Sequence, residues 1–374
     1  MNIIYCATIR LPTEKAHGLQ IMKTSAAMVQ AGAKLELVIP DRDNAITTDP
    51  FDYYHTPKNF LITKLLCKDI ISNTRLGIFG HWLQSYLFVR AILRQKYTSP
   101  VWYTRDLPLA YWLTKTDRSL FYEIHSLPPR PTWLHKQTWQ RSRGIIVISD
   151  GLRKELIAAG VPSEKIIVVR DSVDVAQFQN VPPRAESRAK LTIPFDQKVV
   201  VYTGHLYGWK GADTLAKAAK KLESENIHTY IVGGTDEEIR TFREEFSAPT
   251  VHVIGRRDHQ EMPLWLSAAD LLAIPNSARY KIGALYTSPL KLFEYMAANR
   301  PIVATDVPSL REVLQEKAIF SAPDDPESLA AAIRRGFEEY SVWQTKADAL
   351  AIEVQEYSWE KRGIMILDFL KHHA

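Results

Sequence analysis

The sequence has little cysteine and no long apolar run free of charge. Only Cys6 and Cys67 occur among the 374 residues, which excludes a disulfide framework and a cysteine-based zinc site. The longest such run, residues 76–89, spans about 14 positions and is shorter than the roughly 20 that a membrane-spanning helix requires. Because Met1 is followed by neither a basic start nor a long apolar block, we expect no cleaved signal peptide and a cytoplasmic location.

The composition is that of an ordinary globular chain. Hydrophobic residues make up 46% of the sequence and charged residues 24%, which excludes disordered and fibrous classes. A chain of this length exceeds the size that one core usually serves, so we predict two domains.

The charge is unevenly distributed. Residues 1–180 contain 23 Lys and Arg against 15 Asp and Glu, a net charge of +8, and the rest of the chain contains 24 against 27, a net charge of −3. A basic front half could meet nucleic acid, an anionic membrane surface or a phosphorylated substrate. A solvated face without a partner is the alternative.

Short apolar segments alternate with helix-period segments in the front half of the chain. Leu19, Met22, Ala26 and Val29 recur at helical spacing, and Gly32 is placed to end that helix. Strands and helices in turn are typical of a parallel sheet covered on both faces, so we predict a Rossmann-like domain. Its predicted strands are residues 2–8, 35–40, 101–104, 119–124 and 144–149.

The alternation is interrupted and then restarts. Residues 181–197 include Pro182 and Pro183 in a polar run with little to bury, which favours a linker and a domain boundary between residues 180 and 181. The following segments predict a second Rossmann-like domain. Its predicted strands are residues 199–203, 229–232, 251–254, 271–274 and 302–305.

The first candidate site is the turn after residues 199–203. It carries Gly204, His205, Lys210 and Gly211 directly before a helical segment. Glycines at such a turn let an anion approach the backbone, and the N-terminus of the helix adds partial positive charge. We predict a phosphate site in which Lys210 reaches a diphosphate and His205 donates a second hydrogen bond. A surface turn with an incidental lysine is the alternative.

The second candidate site begins at Ser288. Ser288 is placed as an N-cap and Pro289 as the first helical residue, so free amides at Leu290 and Lys291 would form another anion cradle. Glu294 follows on the same apolar helix, where a carboxylate needs donors such as the hydroxyls of a ribose diol. The alternative is a capped helix in which Glu294 pairs with a lysine.

The two segments together resemble the retaining glycosyltransferases of family 4, two-domain enzymes of the GT-B fold that use nucleotide-sugar donors. The resemblance is best in residues 199–313. The family's G-R-x(n)-K-G element, which binds the donor diphosphate, stands here as Gly204, His205, Lys210 and Gly211, with histidine replacing arginine. Its E-x7-E element ends at Glu294, the ribose-binding position. Tyr286 stands where the family has the glutamate that helps to hold the donor sugar.

The resemblance also implies an architecture. It predicts an α/β fold of two Rossmann-like domains with parallel sheets facing across a cleft. Residues 1–180 would bind the acceptor, residues 181–357 would bind the nucleotide sugar, and residues 358–374 would form a helix that crosses back to the first domain. His17 and Gly18 resemble the loop that closes over the donor sugar and phosphate.

Further polar residues follow predicted strands. His125 matches a family histidine that faces the donor sugar, although a structural role is the alternative for a lone histidine at a strand end. Arg105 and Asp106 lie at an equivalent strand tip and would touch acceptor or sugar. Base contacts are expected near the backbone of Gly255, Arg256 and Arg257.

The aromatic run of residues 79–88 lies near Arg90 and Arg94. It could insert into a membrane interface, but packing inside the protein is favoured. The net positive charge of the front half favours a lipid-linked or phosphorylated acceptor at the inner face of the plasma membrane, and no nucleic-acid partner is expected.

We therefore predict a retaining glycosyltransferase that moves a hexose or related sugar from a nucleoside-diphosphate sugar to an acceptor hydroxyl. His125, Lys210 and Glu294 are its predicted catalytic residues. No metal is expected, because Lys210, His205 and the amides after Ser288 would stabilise the leaving diphosphate. The predicted setting is assembly of cell-surface polysaccharide, lipopolysaccharide or glycolipid. A non-hydrolysing nucleotide-sugar epimerase and, because of Tyr286, a catalytically silent carbohydrate-binding scaffold are the alternatives.

Overall fold

The chain forms two units, each built on one parallel sheet. The structure is a computed structural model that describes residues 1–67, 70, 77–98, 100–116 and 119–373. Unit 1 comprises Met1–Arg170 and Trp359–Ala374, and unit 2 comprises Asp171–Ser358. The units divide between Arg170 and Asp171, ten residues before the boundary that the proline-containing segment predicted between residues 180 and 181.

Unit 1 contains a seven-stranded sheet in the order β3-β2-β1-β4-β5-β6-β7, with every pair parallel. The five predicted strands are confirmed, with ends that differ by one or two residues. The half-exposed edge strand β3 and the three-residue β7 were not predicted, because short edge strands lack a continuous apolar run. The strands are β1 (Asn2–Cys6), β2 (Lys34–Pro40), β3 (Leu61–Leu65), β4 (Val101–Thr104), β5 (Leu120–Ile124), β6 (Gly144–Val147) and β7 (Ile166–Val168).

Helices cover the sheet of unit 1. The predicted first helix is confirmed and ends before Gly32, whose φ of 100° lies in the left-handed region that favours glycine. The helices are α1 (Ala16–Gln30), α2 (Pro50–Tyr53), α3 (Gly77–Leu93), α4 (Leu107–Leu113), α5 (Trp133–Arg141) and α6 (Asp150–Ala158).

Unit 2 contains a six-stranded parallel sheet in the order β10-β9-β8-β11-β12-β13. The five predicted strands are confirmed, and the three-residue β13 was not predicted. The strand order reverses direction between β8 and β11, and ligands of open α/β sheets bind at such a switch point, at the carboxyl ends of the strands. The strands are β8 (Lys198–Thr203), β9 (Ile227–Val232), β10 (Val251–Gly255), β11 (Leu271–Ile274), β12 (Ile302–Thr305) and β13 (Ile319–Ser321).

The segment predicted as a linker is structured, so that prediction is wrong. Arg188 lies in a helix of this segment and is buried, with its guanidinium 2.7 Å from the Asp270 carboxylate and 2.9 Å from the Ala268 carbonyl. Arg188 can be buried because it pairs with Asp270, which lies 82 positions away. The polar local sequence gives no indication of this partner. The helices of unit 2 are α7 (Arg184–Lys190), α8 (Ala212–Lys221), α9 (Asp236–Phe246), α10 (Met262–Ala268), α11 (Leu290–Ala297), α12 (Pro308–Leu314), α13 (Pro326–Glu338) and α14 (Tyr340–Glu353).

The last helix, α15 (Trp359–His373), belongs to unit 1, which confirms the predicted return of the chain. It packs on α1 and places Ile366 and Leu370 in the core of unit 1. Arg362 lies on the same buried face. Across the described residues, no helix combines the length and the apolar character needed to cross a membrane.

Candidate functional site

The carboxyl end of β8 leads into a turn in which two positions require glycine. Gly204 has a φ of 126°. Gly211 has a φ of 70°, and a Cβ on this residue would lie 1.7 Å from the Pro275 carbonyl oxygen. A short 3-10 turn, Gly208–Lys210, separates them, and α8 begins at Ala212. The predicted strand, glycine turn and helix are therefore present at this position.

Two lysine side chains meet beside Gly204. A Cβ on Gly204 would lie 3.4 Å from Lys291 Nζ and 3.6 Å from Lys210 Nζ. Lys291 comes from α11, and its ammonium lies 3.6 Å from the centre of the Tyr202 ring. The sequence analysis identified both lysines but predicted neither their convergence nor the aromatic partner.

The Lys291 side chain is buried, and the Glu294 carboxylate offsets part of the cost of its charge. The residue is 6% exposed, and its Nζ has no hydrogen-bond partner in the described part of the chain. Burial and the nearby Lys210 ammonium hold the pKa of Lys291 well below its usual range. Burial also lowers the pKa of Lys210 to about 8. Two close cations with lowered pKa values form a site that an anionic ligand would stabilise.

The predicted capping role of Ser288 is wrong. Helix α11 begins at Leu290, and Pro289 is its N-cap residue, with extended backbone and no side-chain cap. The Ser288 hydroxyl instead accepts a hydrogen bond of 3.0 Å from the Asp171 backbone N–H. Because Pro289 has the extended conformation, the helix starts one residue later than predicted.

Glu294 follows Lys291 by three residues on α11, so the two side chains are neighbours along the helix. Glu294 is 7% exposed, and its Oε1 lies 2.8 Å from His259 Nε2. The partner of this carboxylate is thus a histidine and not the lysine of the alternative interpretation. Sequence analysis missed His259, because it lies 35 positions away in a short 3-10 turn before α10.

Tyr286, at the position of the first family glutamate, is almost completely buried. It is 2% exposed and ends a π-helical turn, Ile282–Tyr286, that precedes α11. The family carboxylate is therefore replaced here by a buried phenol.

His205 is held by two neighbours at the start of the glycine turn. Its Nδ1 lies 3.3 Å from a Glu238 carboxylate oxygen, and its ring stacks on Tyr207 with centroids 4.9 Å apart. The Nδ1 contact leaves Nε2 as the nitrogen available to a ligand. Glu238 and Tyr207 were not predicted as partners of this ring.

The predicted base-binding residues lie at the end of β10. The Gly255 carbonyl accepts a hydrogen bond of 2.8 Å from the Gly233 N–H. Arg256 is exposed, and the Arg257 guanidinium lies 3.0 Å from the Arg256 carbonyl oxygen and 4.0 Å from Glu261.

Unit 1 has its own polar cluster, centred on Glu123 of β5. Glu123 is 2% exposed; one carboxylate oxygen lies 2.5 Å from Arg362 Nη2 and 2.6 Å from His125 Nε2, and the other accepts a hydrogen bond from the Tyr103 hydroxyl. Arg362 also donates to the carbonyls of Val169 and Arg170, at 2.7 Å each. The sequence analysis predicted His125 as a polar strand-end residue but missed Glu123 and Arg362.

Electrostatics fix the charge states in this cluster. Burial alone would raise the pKa of Glu123, but Arg362 and His125 lower it below its usual range. Burial and the nearby Arg105 lower the pKa of His125 to about 4. His125 is therefore a neutral hydrogen-bonding group at neutral pH.

The other predicted residues of unit 1 lie around the start of α1. Burial and Arg105 lower the pKa of His17 to about 4. The Gly18 N–H donates to the Lys15 carbonyl at 3.0 Å. Arg105 donates to the Gln20 side chain at 2.9 Å, and Asp106 accepts from the backbone and hydroxyl of Thr8, at 2.6 and 2.7 Å. The Arg105 contact joins the segment after β4 to helix α1, and the Asp106 contacts join the same segment to the residues after β1.

No group of three or more His, Cys, Asp or Glu that could hold a metal ion occurs in the part of the chain that the structure describes. Separately, unit 2 holds the pair of converging lysines with Glu294 beside it. Such a pair can bind a phosphate or diphosphate group.

Part of the chain is similar to a known family and to several named proteins. The family described as Glycosyl transferases group 1 matches residues 197–339, all of them in unit 2. A relative from Kineococcus radiotolerans, named D-inositol 3-phosphate glycosyltransferase, is 26% identical over 60% of this chain and 56% of its own length. The chain spans about half the length of the curated relatives it matches.

Solved structures show the fold. Sucrose-phosphate synthase from Thermosynechococcus elongatus aligns with a TM-score of 0.80 at 18% identity, over 99% of this chain and 98% of that one. The Anabaena protein HepE, solved in complex with UDP-glucose, aligns with a TM-score of 0.76 at 18% identity over the whole of both chains. The predicted GT-B fold is confirmed.

Proposed function

We propose that this protein is a glycosyltransferase that transfers a sugar from a nucleoside-diphosphate sugar to an acceptor hydroxyl. The buried ammonium of Lys291, which has no hydrogen-bond partner in the described residues and lies beside Lys210, carries the proposal. A diphosphate leaving group would supply the hydrogen-bond acceptors and the further negative charge that stabilise this pair. The match of unit 2 to the glycosyl transferases group 1 family supports the same assignment.

The two lysines act on the leaving group in this proposal. As the bond between the sugar C1 and the phosphate oxygen breaks, negative charge accumulates on the diphosphate, and Lys210, Lys291 and His205 Nε2 stabilise it without a metal ion. The amides that follow Ser288 in α11 contribute to the same anion site. We assign the base to the backbone at Gly255, Arg256 and Arg257, and we assign the ribose hydroxyls to Glu294.

The transfer is proposed to retain the anomeric configuration. The acceptor hydroxyl attacks the sugar C1 from the face that the phosphate leaves, the new bond to the acceptor oxygen forms, and the departing phosphate takes the hydroxyl proton. We place His125 at the donor sugar as a neutral hydrogen-bonding group and His17 with Gly18 at the donor sugar and phosphate. Arg105 and Asp106 are assigned to acceptor or sugar, and Tyr286 lines the donor-sugar side.

The acceptor is proposed to be a saccharide or a lipid-linked molecule at the inner face of the plasma membrane. The positive charge of residues 1–180 supports an anionic or phosphorylated acceptor. Assembly of cell-surface polysaccharide, lipopolysaccharide or glycolipid is the corresponding setting.

A thermal-shift screen tests the donor site first. The purified chain is heated with UDP, GDP, ADP, CMP and their sugar conjugates, with and without EDTA. A ligand at one hundred times its dissociation constant stabilises the fold by about 2.7 kcal/mol. We expect one nucleoside diphosphate to raise the melting temperature, EDTA to leave the shift unchanged, and Lys210→Ala to abolish it. Lys217→Ala, on the exposed face of α8, is the matched control.

Product analysis then tests the reaction. With the donor identified by the screen and saccharide or lipid-linked acceptors, transfer should give a glycoside of retained configuration by NMR. An inverted product would contradict the retaining mechanism. Conversion of the donor sugar without an acceptor would indicate an epimerase, and absence of a shift with every nucleotide would remove the diphosphate site.

A further inference from the structure

An aromatic and basic surface extends over helices α3, α4 and α5 of unit 1. Phe79 on α3 is 68% exposed, and Trp133 on α5 is 61% exposed. Sequence analysis favoured packing inside the protein for residues 79–88, and the exposure of Phe79 contradicts that preference for one end of the run. Large exposed aromatic side chains of this kind mark an interaction surface when they occur together.

Four other aromatic side chains of α3 and α4 form a chain of ring contacts. Ring centroids lie 4.9 Å apart for Tyr86 and Trp112, 5.1 Å for Trp112 and Tyr111, and 5.5 Å for Tyr111 and Trp82. The Lys115 ammonium lies 4.9 Å from the Tyr111 ring and 5.8 Å from the Trp133 ring. These contacts join rings of α3 and α4 to Trp133 of α5 through the Lys115 ammonium.

Positive charge surrounds the rings. Within residues 77–143 the sequence contains ten Lys and Arg but only three acidic residues, Asp106, Asp117 and Glu123. Glu123 is buried and Asp106 is bonded to Thr8, so neither offsets the exposed cations. Five exposed basic side chains form no ion pair with any residue that the structure describes, namely Arg90, Arg94, Lys115, Arg130 and Lys136.

We infer that this aromatic and basic surface docks unit 1 on an anionic lipid membrane. Tryptophan and tyrosine favour the membrane interface, where an apolar ring meets a polar headgroup. Unpaired Lys and Arg are attracted to anionic headgroups, and exposed apolar side chains such as Phe79 gain burial in the acyl boundary. A single-stranded nucleic acid would meet the same charges and can stack its bases on exposed rings, so RNA binding is the alternative that the test below has to exclude. This inference does not depend on the glycosyltransferase proposal, because it concerns a surface formed by unit 1 alone.

Vesicle co-sedimentation of the full chain tests it. One vesicle preparation contains phosphatidylcholine alone, and the other contains phosphatidylcholine with phosphatidylglycerol. The charge variant carries Arg90→Gln, Lys115→Gln and Lys136→Gln. The matched control carries Lys220→Gln, Arg240→Gln and Lys346→Gln, three exposed substitutions in unit 2 with the same change in net charge. Melting temperatures of both variants are compared with the unmodified protein to verify folding.

We expect the unmodified protein and the control to sediment with the anionic vesicles and not with the neutral ones. The charge variant should bind at least tenfold more weakly, and added salt should weaken binding, since exposed charges are screened at high ionic strength. A ring variant, Phe79→Ser with Trp133→Ser, should also bind more weakly at unchanged net charge. Equal binding of the charge variant and the control would overturn the inference, as would binding of a single-stranded RNA oligonucleotide without binding to anionic vesicles.

Discussion

In unit 1 the buried charges of Glu123 and Arg362 neutralise each other, whereas in unit 2 the buried Lys291 ammonium and the half-buried Lys210 ammonium lie beside the same glycine, Gly204. The Glu123 carboxylate has partners on both oxygens, and Arg362 has carbonyl partners as well. The Lys291 ammonium has a ring beside it but no hydrogen bond in the described residues. A satisfied buried charge maintains the fold, and an unsatisfied one identifies where a ligand of opposite charge would bind.

The largest expected effect is on the stability of unit 1. Arg362→Met removes the cation from Glu123 and leaves a buried carboxylate unpaired, which costs about 3–5 kcal/mol. Equilibrium urea unfolding measures the loss. Lys361→Met, at the exposed neighbouring position of α15, is the control and should change little. A loss below about 1 kcal/mol for Arg362→Met would mean that the pair does not maintain unit 1.

Lys291→Met should have the opposite effect in unit 2. The substitution removes a buried cation that has no hydrogen-bond partner in the described residues, so the ligand-free protein should be as stable as the unmodified one or more stable. Nucleoside-diphosphate affinity should fall at least tenfold, which corresponds to about 1.4 kcal/mol. Urea unfolding and calorimetric titration measure the two quantities, with Lys220→Met as the exposed control. Destabilisation of the ligand-free protein together with unchanged affinity would make Lys291 a structural residue like Arg362.

The pH dependence of stability should report the protonation of two histidines of unit 1, His125 and His17. His125 and His17 have pKa values of about 4 in the fold, below the ordinary value near 6.5. Between these values the unfolded chain binds more protons than the folded one, so stability falls on acidification, by up to about 1.4 kcal/mol per pH unit for each histidine. His125→Asn should flatten this slope, and His81→Asn, on the exposed surface of α3, should not. An unchanged slope in His125→Asn would show that this ring is protonated in the folded state.

The smallest expected effect concerns the ribose. Glu294→Gln keeps the size of the side chain but weakens acceptance of the ribose hydroxyl hydrogen bonds. We expect affinity for a nucleoside diphosphate to fall about fivefold, or about 1 kcal/mol. Affinity for its 2′,3′-dideoxy analogue should stay the same, which makes the analogue the internal control. Equal losses for both ligands would place Glu294 away from the ribose.

Local sequence predicted the parts of the fold and site that local residues determine. Ten of the thirteen strands in the described residues and the turn from Gly204 to Gly211 follow from apolar runs and from glycine backbone freedom. The start of α11 was misplaced by one residue because Pro289 is extended, and the Ser288 hydroxyl bonds to the distant Asp171 instead of capping the helix. That contact joins segments more than one hundred residues apart, and no local pattern reports it.

The same limit explains the missed partners of the charged residues. The Glu123 and Arg362 pair spans 239 positions, and the Glu294 and His259 pair spans 35. Arg362 did leave a signal, because it shares a helical face with Ile366 and Leu370, where a buried arginine requires an acidic or carbonyl partner. The identity of that partner depends on the folded chain.

Calorimetric titration of the nucleoside diphosphate at pH 8, in two buffers of different ionisation enthalpy, tests the lysine pair most directly. Because burial lowers the pKa of Lys210 to about 8 and that of Lys291 well below its usual range, a bound diphosphate should raise both values. Binding should then take up protons, and affinity should decrease as the pH rises through 8. Lys291→Met should take up fewer protons and bind more weakly. Binding without proton uptake, or equal binding by Lys291→Met, would contradict the assignment of the lysine pair as the diphosphate site.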